Sequence, residues 1–353
     1  MTNQNGEKLA SSADRYARQR RFAPIGDDGQ RRIGESRAAV VGMGALGSVA
    51  AQHLVRSGVG FVRLIDRDVL EWSNLQRQVL YTESDVKRLL PKAVAAAERL
   101  GEINSQVTVE PVVADLTAVN AEELLDGVDI ILDGSDNFTV RYLINDVAVK
   151  NGIPWMYGGV VGATGMTMPI VPGDTPCFRC LFPDVPEAGA VDTCETAGVL
   201  SPAVDVIASL QSAEALKWLS GNRDALSRSL LQIDLWHQHF MPLAVSASKK
   251  DDCPACGRRR FDFLEEAGYE PAAVALCGRN TIQISPARPV QIRLQELAGR
   301  LAAAGEVERN PFLVRFRRGD GLTAVLFPDG RTLIQGTEDL AAAKRIYSEI
   351  YGL

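Results

Sequence analysis

The sequence predicts an α/β protein: a doubly wound, mostly parallel sheet with a structural zinc site, followed by a small α+β domain. Three observations predict it. A glycine-rich turn joins a strand-like run to a helical stretch near the N-terminus. Apolar runs and helical segments then alternate through about the first two thirds of the chain, the pattern of βαβ units. Two Cys-x-x-Cys pairs close that part, and beyond them come short strands, a hairpin turn and two helices.

Composition sets the frame. The chain has 353 residues, room for about two domains. Its 46% hydrophobic and 23% charged residues match an ordinary globular protein. A net charge of −6 argues against nucleic acid or an anionic membrane as the main partner. No apolar run approaches the roughly 20 residues that span a bilayer. The polar N-terminus lacks a signal-peptide core, so a cytoplasmic protein is expected. Six cysteines in a chain of this length point to metal or reactivity rather than disulfides.

Residues 1–13 read as a disordered tail. Next comes Arg15-Tyr16-Ala17-Arg18-Gln19-Arg20-Arg21-Phe22. Tyr16, Gln19 and Phe22 recur every third position, which leaves the arginines on other helical faces, free for solvent or for an anion. Arg37–Val41 reads as a buried strand, and the turn Gly42-Met43-Gly44-Ala45-Leu46-Gly47 follows. Its glycines Gly42, Gly44 and Gly47 permit a sharp turn and close approach of a phosphate to a helix N-terminus. The helix reads from Ser48 to Ser57, closed by Gly58. Phe61–Ile65 is the second strand, and Asp66 at its end can take a ribose hydroxyl. This is a Rossmann-like start and points to a nucleotide; a plain tight turn is the alternative.

The connection 68–79, DVLEWSNLQRQV, is long for such a domain and lies where open α/β folds bind ligands. It carries Asn74, Gln76 and Arg77. Pro91-Lys92 opens a helix running to about Leu100, with Pro suited to its start; Lys92 reads either as a solvated tether or as part of the site. Val107–Val113 reads as a strand, Ala121–Leu125 as a short helix and Val128–Asp133 as the fourth parallel strand. Gly134-Ser135-Asp136-Asn137 follows; the two carboxylates, Asp133 and Asp136, and the two small polar residues suit a Mg²⁺ shared with phosphate oxygens, or Ser135 or Asp136 serves as a helix cap. Arg141–Lys150 reads as a helix, then Trp155–Val160 and Ala163–Val171 as strands.

Cys177, Cys180, Cys253 and Cys256 form two tight knuckles of the kind that close a tetrahedral Zn²⁺ site. Four sulfur ligands leave no position for water, so the metal reads as structural; redox dithiols are the alternative. Cys194 stands alone in a polar, Gly-containing segment, either a nucleophile or an incidental thiol. Ser201–Leu219 reads as a helix and Leu230–Trp236 as a strand. After Arg258 the strands Thr281–Ile284, Phe312–Phe316 and Leu322–Phe327, the turn Pro328-Asp329-Gly330, and helices at 293–304 and 339–350 make the small α+β domain of unknown role.

In order, RYARQ, GMGALG, the aspartate ending strand two, SNLQRQ, Pro-Lys, DGSDN, CFRC, DTCETAGV and CPACG resemble the ubiquitin-activating-like MoeB/ThiF family of sulfur-carrier adenylyltransferases over residues 14–257. The resemblance implies that Gly42, Gly44, Gly47 and Asp66 hold ATP. It implies that Asn74, Arg77 and Lys92 contact its phosphates and that Asp136 binds Mg²⁺. It also implies that Arg18 reaches the neighbouring subunit's site in a homodimer and that the four cysteines hold Zn²⁺. Cys194 matches a cysteine that is covalent in some members and dispensable in others. The implied activity is adenylation of the C-terminal Gly-Gly carboxylate of a ubiquitin-like sulfur carrier in thiamine, molybdopterin or related sulfur transfer. The 258–353 segment does not resemble the sulfurtransferase domain of some relatives, so a separate sulfurtransferase donor is a possible partner. Two other functions fit parts of the pattern: an NAD-dependent dehydrogenase, which leaves Arg77, Lys92 and the cysteine pairs unused, and a non-catalytic nucleotide-binding scaffold.

Overall fold

The computed structural model describes residues 15–186, 196–265, 272–276, 280–286 and 290–352. The chain divides into two units, with the break after Glu266. That is past Gly257, where the sequence reading set it, because Phe261, Phe263 and Leu264 pack on the first unit's core. The 1–13 tail lies outside the described residues.

The first unit is an eight-stranded sheet in the order β3-β2-β1-β4-β5-β6-β7-β8. Its strands are β1 (Arg37–Val41), β2 (Phe61–Ile65), β3 (Thr108–Val112), β4 (Ile130–Asp133), β5 (Trp155–Val161), β6 (Thr164–Ile170), β7 (Ser229–Asp234) and β8 (His239–Ala244). The first five run parallel, and β6, β7 and β8 add antiparallel pairings. β4 is wholly buried, and β1 is buried beyond Arg37, as near-continuous apolar runs in a covered parallel sheet should be. Helices Ala45–Ser57 and Ser201–Leu219 pack together on one face, around Leu46, Val49, Val204 and Ile207. Helix Phe138–Asn151 and the Cys177–Cys180 knuckle belong to a second core with Trp155, Tyr142 and Phe178. β8 is absent from the sequence reading: its residues are mostly exposed, so no in–out alternation marks it.

The connection from β1 goes to β2 and β3, then returns to β4 on the other side of β1. The C-terminal ends of β1 and β4 therefore flank the point where strand order reverses, the crevice in which doubly wound sheets bind ligands.

The second unit is a six-stranded antiparallel sheet, β11-β12-β13-β14-β10-β9. It comprises β9 (Ala272–Leu276), β10 (Thr281–Ser285), β11 (Gly305–Arg309), β12 (Val314–Arg318), β13 (Thr323–Leu326) and β14 (Thr332–Gln335). Helices Leu294–Leu301 and Leu340–Tyr351 cover one face through Leu297, Ala343, Ile346 and Ile350. The 328–330 turn is as expected: Phe327 N–H donates to the Arg331 carbonyl at 3.0 Å, and Gly330 has φ +84°. β9 and β11 were not read as strands. Val307 is only half-buried and the rest of β11 is polar.

Candidate adenylation site and zinc lobe

Two backbone contacts hold the glycine turn against the sheet. Gly42 N–H donates to the Ile65 carbonyl and Gly134 N–H to that of Val41, each at 2.8 Å. Gly42 sits at φ +88°, a region that favours glycine. A Cβ there would lie 2.7 Å from the Gly134 carbonyl, so the turn after β1 and the tip of β4 are in backbone contact. A Cβ on Gly47 would fall inside the Gly42 carbonyl oxygen. Gly44 caps the Ala45–Ser57 helix without a side-chain hydrogen bond, so the first-turn N–H groups keep no side-chain acceptor. The helix starts at Ala45, three residues before the expected Ser48. We expect Gly47→Ala to cost about 1–3 kcal/mol by overpacking and to weaken nucleotide binding, measured by thermal unfolding and ATP titration.

Asp66 fastens this turn from the side. Its two oxygens accept N–H groups from Met43 and Asp68, both at 2.6 Å. Burial pushes its carboxyl up, with nearby Lys92 opposing. A bridge between Val69 and Pro91 and a bond from Lys92 N–H to the Asp68 carbonyl, 2.9 Å, bring the distant Pro-Lys helix start to the end of β2. Lys92 is 3% exposed, and its Nζ lies 2.9 Å from Asp68 Oδ2. The Tyr81 hydroxyl donates to the Met43 carbonyl at 2.6 Å and also lies 3.3 Å from that of Lys92, tying turn and helix together.

At the β4 tip, Arg141 does the positioning. Its Nε donates to Asp133 Oδ2 at 3.0 Å, and its Nη2 to the carbonyls of Ser135 and Gly158. Burial pushes the Asp133 carboxyl up and Arg141 opposes it. Asp133 also accepts from the Ser135 hydroxyl and N–H. Asp136, just beyond, is exposed and within the field of Arg67 and Arg141. Among the described residues nothing hydrogen-bonds its carboxylate, so it suits a hard cation shared with phosphates.

Of the other expected residues, Asn74 is buried, and its Oδ1 accepts the Glu71 N–H at 3.0 Å, shaping the loop. Arg77 donates to the Ser73 carbonyl at 2.9 Å. Arg18 is exposed in a short helix, Ala17–Arg21, and has no partner among the described residues. That helix is anchored by Gln19, which donates to Gln30 and Ser57, and preceded by Tyr16, which accepts from Asn104 at 2.8 Å. Phe22 ends it, 60% exposed rather than packed with Tyr16. Cys194 lies outside the described residues. Asp68, Tyr81 and Arg141 were missed. The single hint was an arginine early in a largely apolar helix turn, eight residues after the carboxylate that ends β4.

The four knuckle cysteines converge. Sγ–Sγ separations are 3.8 Å for Cys177–Cys180, 3.6 Å for Cys177–Cys253 and 3.4 Å for Cys180–Cys256, and all four sulfurs lie within 4.8 Å of one another. A tetrahedron with Zn–S near 2.3 Å has edges of about 3.8 Å, whereas a disulfide is about 2.05 Å. The spacing fits a closed Cys₄ metal site. Around it, Phe178 N–H donates to Asn145 Oδ1, and Arg179 pairs with Asp262 at 2.9 Å. Asp146 accepts the Phe263 N–H at 3.2 Å, and burial pushes its carboxyl up to about 6. An unfolded Asp titrates near about 4. The folded state therefore holds the extra proton between those values, and the stability this contributes is lost as pH rises through about 6. Asp146→Asn is expected to flatten the unfolding temperature between pH 4 and 6 relative to wild type, a profile that calorimetry can record.

The sequence signature of the ThiF family matches residues 16–255. The chain is 49% identical over 339 residues to the sulfur carrier protein ThiS adenylyltransferase of Bacillus subtilis, covering 96% of this chain and 99% of that one. That match is longer than the first unit, so it runs through the second. The SAMP-activating enzyme E1 of Haloferax volcanii is 41% identical over 76% of this chain and 97% of its own. The sulfur carrier protein adenylyltransferase of Thermus thermophilus is 43% identical over 69% and 90%. A crystal structure of E. coli MccB with succinimide shares the fold: TM-score 0.61, 22% identity, 70% of this chain and 75% of that one. With a glycine turn packed against the β4 tip and a lysine delivered to the end of β2 inside the matched span, and a four-cysteine lobe that closes at its C-terminal edge, the chain belongs to the ThiF family.

Proposed function

We propose that this protein adenylates the C-terminal Gly-Gly carboxylate of a ubiquitin-like sulfur-carrier protein, using ATP and Mg²⁺, and that it works in the cytoplasm as a homodimer. The observation that carries this reading is the juxtaposition of three distant segments: the uncapped helix start at Gly44, Lys92 and the tip bearing Asp136. The relatives' activities agree with it. Gly42, Gly44, Gly47 and Asp66 would hold the nucleotide, with Asn74, Arg77 and Lys92 toward its phosphates. Arg18, exposed and anchored only through its helix neighbours, would serve the second subunit's site.

A carboxylate is ionised at neutral pH and needs no general base to attack the α-phosphate. The barrier is accumulated negative charge, which Arg77 and Lys92 offset electrostatically. Mg²⁺ held at Asp136 would add positive charge at the phosphates when bound. The products are an acyl-adenylate and pyrophosphate; a sulfur nucleophile, from a separate donor or by way of Cys194, then displaces AMP. Zn²⁺ in the Cys₄ lobe is structural. The test is pyrophosphate–ATP exchange with purified β-grasp carriers ending in Gly-Gly. Exchange should need the carrier and vanish when its last glycine is removed; no exchange with any such carrier would overturn the reading.

A further inference from the structure

Gln78 lies on the loop between β2 and the Pro-Lys helix and is absent from the residues assigned above. Its backbone is fixed: its N–H donates to the Asn74 carbonyl at 3.0 Å, and its own carbonyl accepts the Tyr81 N–H at 3.2 Å. Its side chain is 3% exposed. The carboxamide makes no hydrogen bond among the described residues, and Oε1 is a buried acceptor with no partner. The other end, Nε2, is the heavy atom nearest to where a Cβ on Gly44 would stand, at 3.8 Å. The unsatisfied amide is therefore aimed at the uncapped start of a 13-residue helix, beside the glycine turn. Leaving a buried polar group unpaired destabilises a fold, whereas an apolar side chain of similar size at this place would carry no such penalty. Beside a glycine turn and an uncapped helix start, such a group is placed for a ligand to complete.

We infer that Gln78 is a nucleotide-contacting residue of this site, its carboxamide completed by the bound nucleotide. A nucleotide matches both ends. Its phosphate oxygens accept an N–H, and its ribose hydroxyls donate to a carbonyl oxygen. Because no hydrogen bond fixes the amide in the free protein, either end can turn toward the phosphates. The inference rests on the nucleotide-site reading but not on the carrier or on the chemical step.

The experiment is calorimetric titration of the full-length protein with MgATP, without carrier, beside thermal unfolding of the ligand-free protein. Wild type must bind; if it does not, the nucleotide-site reading itself fails. Given wild-type binding, Gln78→Leu should weaken ATP about tenfold while leaving the ligand-free unfolding temperature unchanged or raised, since the unpaired oxygen is gone. Gln78→Glu should weaken ATP further, because a carboxylate repels phosphate. In carrier-dependent exchange the Leu variant should raise the KM for ATP more than it lowers kcat. Unchanged ATP affinity in Gln78→Leu would overturn the inference. So would an affinity loss accompanied by a lowered ligand-free unfolding temperature, which would mark Gln78 as structural.

Discussion

Lys92→Ala is expected to lose carrier-dependent pyrophosphate exchange by two to three orders of magnitude, about the cost of removing one preorganised charge stabiliser. It should also lose about 1–3 kcal/mol of stability, because the half-buried Asp68 carboxylate loses its ammonium partner and keeps the longer Arg67 contact at 3.8 Å. The two effects have separate causes and can be separated. Lys92 Nζ and Asp68 Oδ2 are 2.9 Å apart, with both side chains largely shielded. Converting Asp68 to Asn in the same protein removes the stranded charge, so Lys92→Ala/Asp68→Asn should recover much of the unfolding temperature. It should not recover exchange, since no cation has been restored near the phosphates. Exchange rates near wild type in a folded Lys92→Ala protein would sink the electrostatic account and favour a scaffold that binds nucleotide without chemistry.

Metal analysis of the purified protein should find zinc at about one ion per chain, and its removal should unfold the knuckle lobe. Apparent binding energies of about 10–16 kcal/mol are typical of structural zinc in small finger peptides, as large as the whole stability of many domains, about 5–15 kcal/mol. Cys180→Ser should therefore bind little zinc and melt well below wild type. Because sulfur fills all four positions, Co²⁺ exchanged into the site should show a tetrahedral thiolate spectrum and leave pyrophosphate exchange intact. Metal-free protein that unfolds at the wild-type temperature would refute a structural metal. Loss of exchange in a fully folded Co²⁺ protein would argue instead for a metal taking part in the chemistry.

The parts of the site legible in the sequence are those set by local covalent constraints. Gly42 needs a positive φ and Gly47 needs room for a carbonyl, and neither requirement depends on distant residues. Cys177/Cys180 and Cys253/Cys256 each form a knuckle by spacing alone. Arg141 was less legible, since a charged residue in a helix ordinarily faces solvent, and only its burial against Asp133 reveals its task. β8 lacked the alternation that marks a half-buried strand because most of its side chains face water, and β11 carries a single apolar side chain, Val307.

From the chain alone came the α/β class, the nucleotide-type turn, the four-sulfur pairing of knuckles 76 residues apart and the family resemblance that the comparisons bear out. These rest on backbone conformation and ligand spacing, which a few neighbouring residues decide. The folded structure decided what depends on burial. It tied Asp66 to the turn, paired Lys92 with Asp68, left the Gln78 carboxamide without a partner among the described residues and set the domain break after Glu266. Desolvation and the pairing of distant groups arise only when the sheet closes, so periodicity along the chain carries no trace of them.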